Sequence, residues 1–372
     1  MRIVIVGGGV LGTMHAWHAV RRGHEVLHVE RELEARAASV RNFGLVWVSG
    51  RANGVELDTA LRARQLWAEI GAEVPGVGFR ANGSLTLLRT EAELAVAEQT
   101  VARDDAAVRG FTLLEADKAR ALNPALRGEF LGAVHCQLDG AVESRVVMPA
   151  LRAALAATGR YRWLPGREAR SVDRGSVRDD HGDVHGGDLV LLCTGATLSG
   201  LVRELADDLP LRRVRLQMMQ TEPLGEELAT SVADGDSLRY YPAFQGSALE
   251  ELKADQPQAP IAAEHRMQLL MVQRLDGGLT IGDTHGYAEP FPFDLHDDPY
   301  QHLTGVAEAL LGRSLPRVLR RWAGVYCERV DTGHVALRRQ VAEGVVLVTG
   351  PGGRGMTCSP AIAESTAEEL GL

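Results

Sequence analysis

The sequence predicts an α/β fold in which a parallel, dinucleotide-binding sheet flanked by helices carries an inserted antiparallel sheet. Three observations predict it. The chain opens on a β-branched run, IVIV, that breaks at once into GGGVLG. Near the other end a second apolar run, GVVLVT, breaks into GPGGRG and leads into a helix-compatible stretch. Between the two lie several short apolar runs, and those at 265–275 and 278–284 are joined by Asp-Gly-Gly, a hairpin signal.

At 372 residues the chain can bury one or two sizeable cores. A mean hydropathy of −0.08 is that of an ordinary soluble globular protein. The net charge of −9, with arginines scattered rather than clustered, argues against a nucleic-acid binder. Cys136, Cys193, Cys327 and Cys358 are far apart and form no C-x-x-C, so neither a zinc site nor a disulfide framework is expected, and a cytoplasmic setting is. The apolar run at 3–6 breaks at Gly7, too short for a signal-peptide core, and no run approaches the roughly 20 residues that span a membrane.

Taken in order, residues 2–6 read as a buried parallel strand. Gly7 permits the tight turn, Gly9 lets a pyrophosphate approach the backbone, and Gly12 lets helix and strand pack closely. The helix that follows, TMHAWHAVRRG, offers its N-terminal N–H groups to a phosphate and is closed by Gly23. The next strand, EVLHVE, ends in Glu30, 18 residues after Gly12, where an acid takes ribose hydroxyls and disfavours NADP. This Rossmann-like unit leaves NAD and FAD both open. Further helices are expected at 59–74, 91–108 and 300–311. Antiparallel strands are expected at 84–88, 215–223, 238–244, 265–275 and 278–284. Residues 248–265, charged and with two prolines, read as a flexible surface or lid segment. His15 and His18 sit three apart with no third ligand and read as packing residues, and His265 as a surface residue. No metal site is expected.

The stretch ERELEARAASVRNFG at 30–44, a Glu-Arg pair followed by a Ser and a small-residue turn, resembles the D-amino-acid oxidase/glycine oxidase/sarcosine oxidase superfamily of FAD enzymes. HGGDLVLLCTGA (185–196), EARSV (168–172) and the terminal GVVLVTGPGGRGMT match the same pattern. The resemblance implies a glutathione-reductase-type FAD domain built from 1–77, 140–212 and 324–372. The substrate domain would then comprise 78–139 and 213–323. It implies cofactor contacts at Gly7, Gly9, Gly12, Glu30, Arg31, Ser39, Arg41, Asn42, Phe43 and Gly44. Ala169, Thr194 and Gly195 are further contacts it implies. Backbone N–H groups of Gly352, Gly353, Arg354, Gly355 and Met356 would face the flavin ring. The FAD is expected to be non-covalent, with a thioether through Cys327 as the alternative.

Flavin oxidation of an amine needs the C–H beside nitrogen under flavin N5, a neutral amine and an anchor for the other end. In the resembling amino-acid oxidases an arginine before the last segment grips the carboxylate, but here Tyr326 stands at that position, and strand alternation turns Arg329 away. The stretches SVRNFGLVW, LQMMQTEP, QRLDGGLTIGDTHGY and GPGGRGMT resemble a branch associated with phosphonate breakdown, which oxidises 2-aminoethylphosphonate or its N-methyl form to phosphonoacetaldehyde. Candidate pocket groups are Tyr326, one of Tyr240 and Tyr241 (which would alternate faces), Arg274 as an anion clamp or a solvated residue, and His285. The implied partners are a small anionic amine and O2 or another electron acceptor, with the chain a monomer or homodimer. The alternatives are oxidation of a small amino acid, a nicotinamide-linked dehydrogenase, and a flavoprotein without turnover.

Overall fold

The computed structural model describes residues 1–331 and 333–372. Six strands form one sheet in the order Leu337–Ala342, Val345–Thr349, Leu189–Leu192, Arg2–Val6, Glu25–Glu30, Tyr161–Pro165. Its five contiguous inner and right-hand strands are parallel, and Leu337–Ala342 runs antiparallel at one edge. These strands are continuous apolar runs because helices cover one face and a further apolar layer the other. A second sheet of eight strands runs from Val318–Arg329 through Leu211–Pro223, Gly278–Gly282, Leu270–Gln273, Ser231–Ala233, Ser84–Leu88 and Gly132–Cys136 to Phe111–Glu115. It is antiparallel except where Ser231–Ala233 meets Ser84–Leu88.

The first turn is one that only glycine can make. Gly7 has φ +111°, and a Cβ there would collide with the Cys193 carbonyl oxygen. A Cβ on Gly12 would collide with the Gly7 carbonyl oxygen in turn, so the helix Val10–Arg21 lies hard against the strand it follows. That carbonyl is taken by His28 Nε2 (2.8 Å), whose Nδ1 meets the Tyr161 hydroxyl (2.9 Å). The last helix, Gly355–Glu369, packs on Val10–Arg21, and the long helix Val55–Glu73 packs on it from the other side.

Four sequence expectations are corrected. Residues 238–244 form a helical turn, Asp236–Tyr240, and a 3-10 turn, Pro242–Phe244, rather than a strand. The buried side chains Leu238, Tyr241 and Phe244 recur at a spacing of three, which is helical. The strand expected at 265–275 is only Leu270–Gln273, because Arg266 takes φ +47° and the chain before it is a helix end. The helix expected at 91–108 breaks into Glu91–Val101 and Ala106–Arg109 around Asp105, whose carboxylate is held by Arg103 (3.1 Å) and Arg109 (2.6 Å). Residues 248–265 are not a flexible lid. They form the helices Ser247–Asp255 and Pro260–Glu264, with Leu249, Leu252 and Ala262 buried and Pro260 opening the second.

Three histidines are buried in the first strand–helix–strand unit, and burial pushes His15, His18 and His28 each down to about 4. A histidine kept neutral in the fold stabilises it fully above its unfolded value of about 6.5, and that stability is lost as pH falls from 6.5 towards 4. Unfolding at pH 5 should therefore take up close to three protons from these residues alone, so stability falls by up to about 4 kcal/mol per pH unit. Urea midpoints at pH 7, 6 and 5 measure it; a flat response would mean that these imidazoles are already charged in the fold.

Candidate active site

The two glycine turns meet. Gly9, Val10 and Leu11 from the N-terminus of the first helix, and 352–357 from that of the last, line one cavity of about 400 Å3. Two helix N-termini thus open on the same space, each with unsatisfied N–H groups and a partial positive charge. The segment 38–43 forms a third wall. Ser39 Oγ accepts the Val10 N–H (2.9 Å), and a Cβ on Gly9 would lie 2.9 Å from that oxygen. Asn42 shapes the turn: its Nδ2 donates to the Ala38 (2.8 Å) and Ser39 (2.9 Å) carbonyls and its Oδ1 accepts the Gly44 N–H (2.7 Å). Arg41 Nη1 reaches the Ala323 carbonyl (2.8 Å), tying this wall to the long strand Val318–Arg329.

The fourth wall, the loop 47–53, is braced from three sides. Buried Asp139 accepts the Val48 (2.6 Å) and Ser49 (3.0 Å) N–H groups. Fully buried Arg109 donates to the Arg51 carbonyl (2.7 Å) and to Asn53 Oδ1. Thr357 Oγ1, in the last helix, accepts the Trp47 N–H (2.9 Å) and donates to the Leu45 carbonyl (3.1 Å). The loop carries Arg51 into the cavity, its Nε on the Trp47 carbonyl (2.8 Å) and its Nη1 3.6 Å from Glu56. Glu56 also holds Arg354 Nη1 (2.7 Å), so two guanidinium groups share one carboxylate.

The remaining wall is aromatic and titratable. Tyr240, Tyr241, His285 and Tyr326 all line the cavity, as do Gln268 and Asp283. Tyr240 and Tyr241 both face it, because they end a helical turn and do not alternate as a strand would, which corrects that expectation. Tyr240 stacks on His285, ring centroids 4.4 Å apart. Burial pushes the Tyr240 and Tyr326 hydroxyls well above the usual phenol range, so both stay neutral.

The cavity gathers most of the expected residues: Gly9, Ser39, Arg41, Asn42, Phe43, Gly195 and 352–356. Gly7, Gly12 and Gly44 stand behind it as backbone turns. Glu30 lies at the rim of the glycine turn, where its carboxylate accepts the Gly8 N–H (2.6 Å) and the Glu32 N–H (3.0 Å). Arg31 is exposed beside Glu32, and Ala169 starts the small sheet formed with Ser176–Asp179 and Val184–Gly186. Cys327 lines the cavity, its Sγ 3.6 Å from Thr349 Oγ1. Arg274 does not reach the cavity, which corrects the anion-clamp expectation. Its buried guanidinium is spent on the Phe43 carbonyl and the Val142 carbonyl (3.3 Å), with Glu143 3.9 Å away. Arg51, Trp47, Gln268 and Asp283 were not singled out in the sequence; only the glycines flanking Arg51 and the motif GDTHGY hinted at two of them.

A family model described as FAD dependent oxidoreductase (DAO) matches residues 2–369. The chain belongs to the DAO family of FAD-dependent oxidoreductases. It is 26% identical over 242 residues to a subunit of the opine oxidase of Rhizobium meliloti, covering 59% of this chain and 63% of that one. The chain thus spans less than two-thirds of the length of the curated relatives it first matches. Its fold resembles glycine oxidase from Geobacillus kaustophilus (TM-score 0.78, 18% identity, 99% of this chain and 94% of that one). It also resembles iminodiacetate oxidase from Chelativorans sp. BNC1 (TM-score 0.75, 18% identity, 100% and 95%).

FAD is the cofactor of this DAO-family chain, and the cavity fits it. Gly9 leaves open a space that any side chain would fill. Two buried polar atoms beside the cavity, Trp47 Nε1 and Thr194 Oγ1, have no hydrogen-bond partner among the described residues. Gly9 and Ser39 would hold the pyrophosphate, Glu30 the ribose, and 352–356 the ring. Gly9→Val puts methyl groups into the space between Gly9 and Ser39 and should weaken FAD binding at least about hundredfold, by overpacking of about 3 kcal/mol. Flavin fluorescence titration of the apoprotein measures it; unchanged affinity would move the pyrophosphate elsewhere.

Proposed function

We propose that this chain oxidises a small primary or secondary amine carrying an anionic group, best fitted by 2-aminoethylphosphonate or its N-methyl derivative, which would yield phosphonoacetaldehyde. The observation that carries the reading is Arg51. Three buried groups from distant parts of the chain fix its loop, yet its guanidinium shares the single carboxylate of Glu56 with Arg354. A braced, under-neutralised arginine in a cavity is what a bidentate grip on a phosphonate or carboxylate requires. Tyr326, at the position where the resembling amino-acid oxidases place their arginine, leaves that grip to another residue.

Bound FAD would supply the two-electron acceptor for the hydrogen on the carbon beside nitrogen. The imine left on the substrate is hydrolysed by water to aldehyde and amine, and O2 or another acceptor removes the electrons. The protein orients the substrate by its anion and excludes bulk water with Tyr240, Tyr241 and Tyr326. The substrates that name two structural neighbours, glycine and iminodiacetate, are amines with carboxylates and support the same chemistry. They also support a second reading, oxidation of a small amino acid such as glycine, sarcosine or a D-amino acid. Four free, buried cysteines fit the cytoplasmic setting that belongs to this proposal.

Anaerobic mixing of the FAD-loaded protein with 2-aminoethylphosphonate, its N-methyl form, glycine, sarcosine and D-alanine separates the readings. The phosphonates should bleach the flavin fastest; faster bleaching by an amino acid favours the second reading, and no bleaching rejects both. Arg51→Gln should raise the KM of the preferred amine about tenfold to hundredfold. An unchanged KM would assign the anion to another residue.

A further inference from the structure

The cavity has unsatisfied acceptors as well as cations. Asp283 is 5% exposed and Gln268 2%, both line the cavity, and Asp283 Oδ1 and Gln268 Oε1 have no hydrogen-bond partner among the described residues. The two residues are joined through the Asp283 N–H, which donates to the Gln268 carbonyl (3.0 Å). The Gln268 amide nitrogen donates to the Tyr241 hydroxyl (3.3 Å), and its oxygen is the end left over. Two buried acceptors side by side call for a ligand that brings N–H donors.

His285 lies beside the pair. Its Nδ1 donates to the Arg266 carbonyl (3.0 Å), so that nitrogen carries a hydrogen in every state. Nε2 therefore bears a lone pair when the ring is neutral, and it faces Asp283 Oδ2 at 3.7 Å. At that distance the two are charge neighbours rather than hydrogen-bond partners. The other groups facing Asp283 are Tyr240, Tyr241, Tyr287 and Tyr326. Burial pushes all four phenols up, so all four stay neutral beside it. Burial raises the Asp283 carboxyl, opposed by His285 and by the Gln268 amide.

Resting on the amine-oxidation reading above, we infer that Asp283 and Gln268 form the amine end of the substrate pocket and that Asp283 takes the proton from the bound substrate ammonium. The substrate N–H bond breaks, an O–H bond forms on Asp283 Oδ1, and the nitrogen keeps the electron pair. The products are the neutral amine, whose C–H can leave as hydride, and Asp283 as a carboxylic acid. No other reactant is consumed. Gln268 Oε1 accepts a second N–H and sets the direction of the lone pair.

The test is the pH profile of flavin reduction by the panel amine that bleaches the wild-type protein fastest, for wild type and Asp283→Asn. With Asp283 as proton acceptor, wild type reduces on the ammonium form well below the amine's own value of about 10. Asp283→Asn can use only amine that is already neutral. Its rate should be about 1,000-fold lower at pH 7, rise tenfold per pH unit, and approach wild type near pH 10. Such alkaline rescue is not the behaviour of a misfolded site, which is slow at every pH. A parallel or unchanged profile overturns the inference while leaving the amine reading intact, and a panel that fails to bleach wild type overturns both. Should Asp283→Asn take up no flavin, Gln268→Leu decides: it should raise the amine KM about tenfold, and an unchanged KM overturns the amine subsite.

Discussion

The last helix would not hold its place without one hydrogen bond from outside it. Pro360 lies inside Gly355–Glu369 and lacks the N–H that would bond the Met356 carbonyl one turn back. Trp67, fully buried in the helix Val55–Glu73, supplies the missing donor: its Nε1 reaches the Met356 carbonyl (3.0 Å) and the Thr357 carbonyl (3.1 Å). An unpaired buried carbonyl costs about 1–3 kcal/mol, and here it would sit in the first turn of the helix whose N-terminus faces the cavity. Thr357 completes the anchorage from the other side by binding both the Leu45 carbonyl and the Trp47 N–H. The position of 352–357, and with it the ring-facing wall, follows from these two contacts.

The same anchorage couples cofactor wall to substrate wall. Thr357 belongs to the helix, yet its hydroxyl holds the loop that carries Arg51. Glu56, at the start of the helix that bears Trp67, ties Arg51 to Arg354. A shift of the terminal turn would move Arg51, the proposed anion grip, with it. The charge balance is local as well. The chain carries a net −9, but two helix N-termini and the Arg51–Glu56–Arg354 cluster make one side of the cavity positive.

What the sequence revealed divides along the distance over which contacts act. The glycine turns were legible because their constraint is local: Gly7, Gly9 and Gly12 need only the strand and helix they join. Their meeting in space was legible only through the family resemblance. Tyr240 and Tyr241 were misread because aromatic residues favour strands, while the spacing of Leu238, Tyr241 and Phe244 carried the helical signal. Arg274 was misplaced because its partners, the Phe43 and Val142 carbonyls, lie more than a hundred residues away and nothing beside the hairpin announces them. Arg51 was hidden for the same reason, its brace at Asp139 being 91 residues from Val48. Long-range carbonyls and carboxylates choose which arginines become struts and which stay available.

On the proposed reading, the two unlike walls also decide which way an anionic amine would lie. Tyr241 stands between them: it packs against Gly50 beside Arg51, its hydroxyl takes the Gln268 amide, and its ionisation feels both Arg51 and Asp283. A zwitterion entering anion-first towards Arg51 presents its nitrogen to Asp283 and Gln268. Turned about, it sets an ammonium against a guanidinium and an anion against a carboxylate. Each like-charge contact at 4 Å costs about 4 kcal/mol at an effective dielectric of about 20, enough to exclude the reversed pose. Orientation is therefore fixed by charge before any close packing is asked for, and Tyr326 can be neutral without loss. An arginine at 326 would put a second cation near the amine end and erase the asymmetry that aims the substrate.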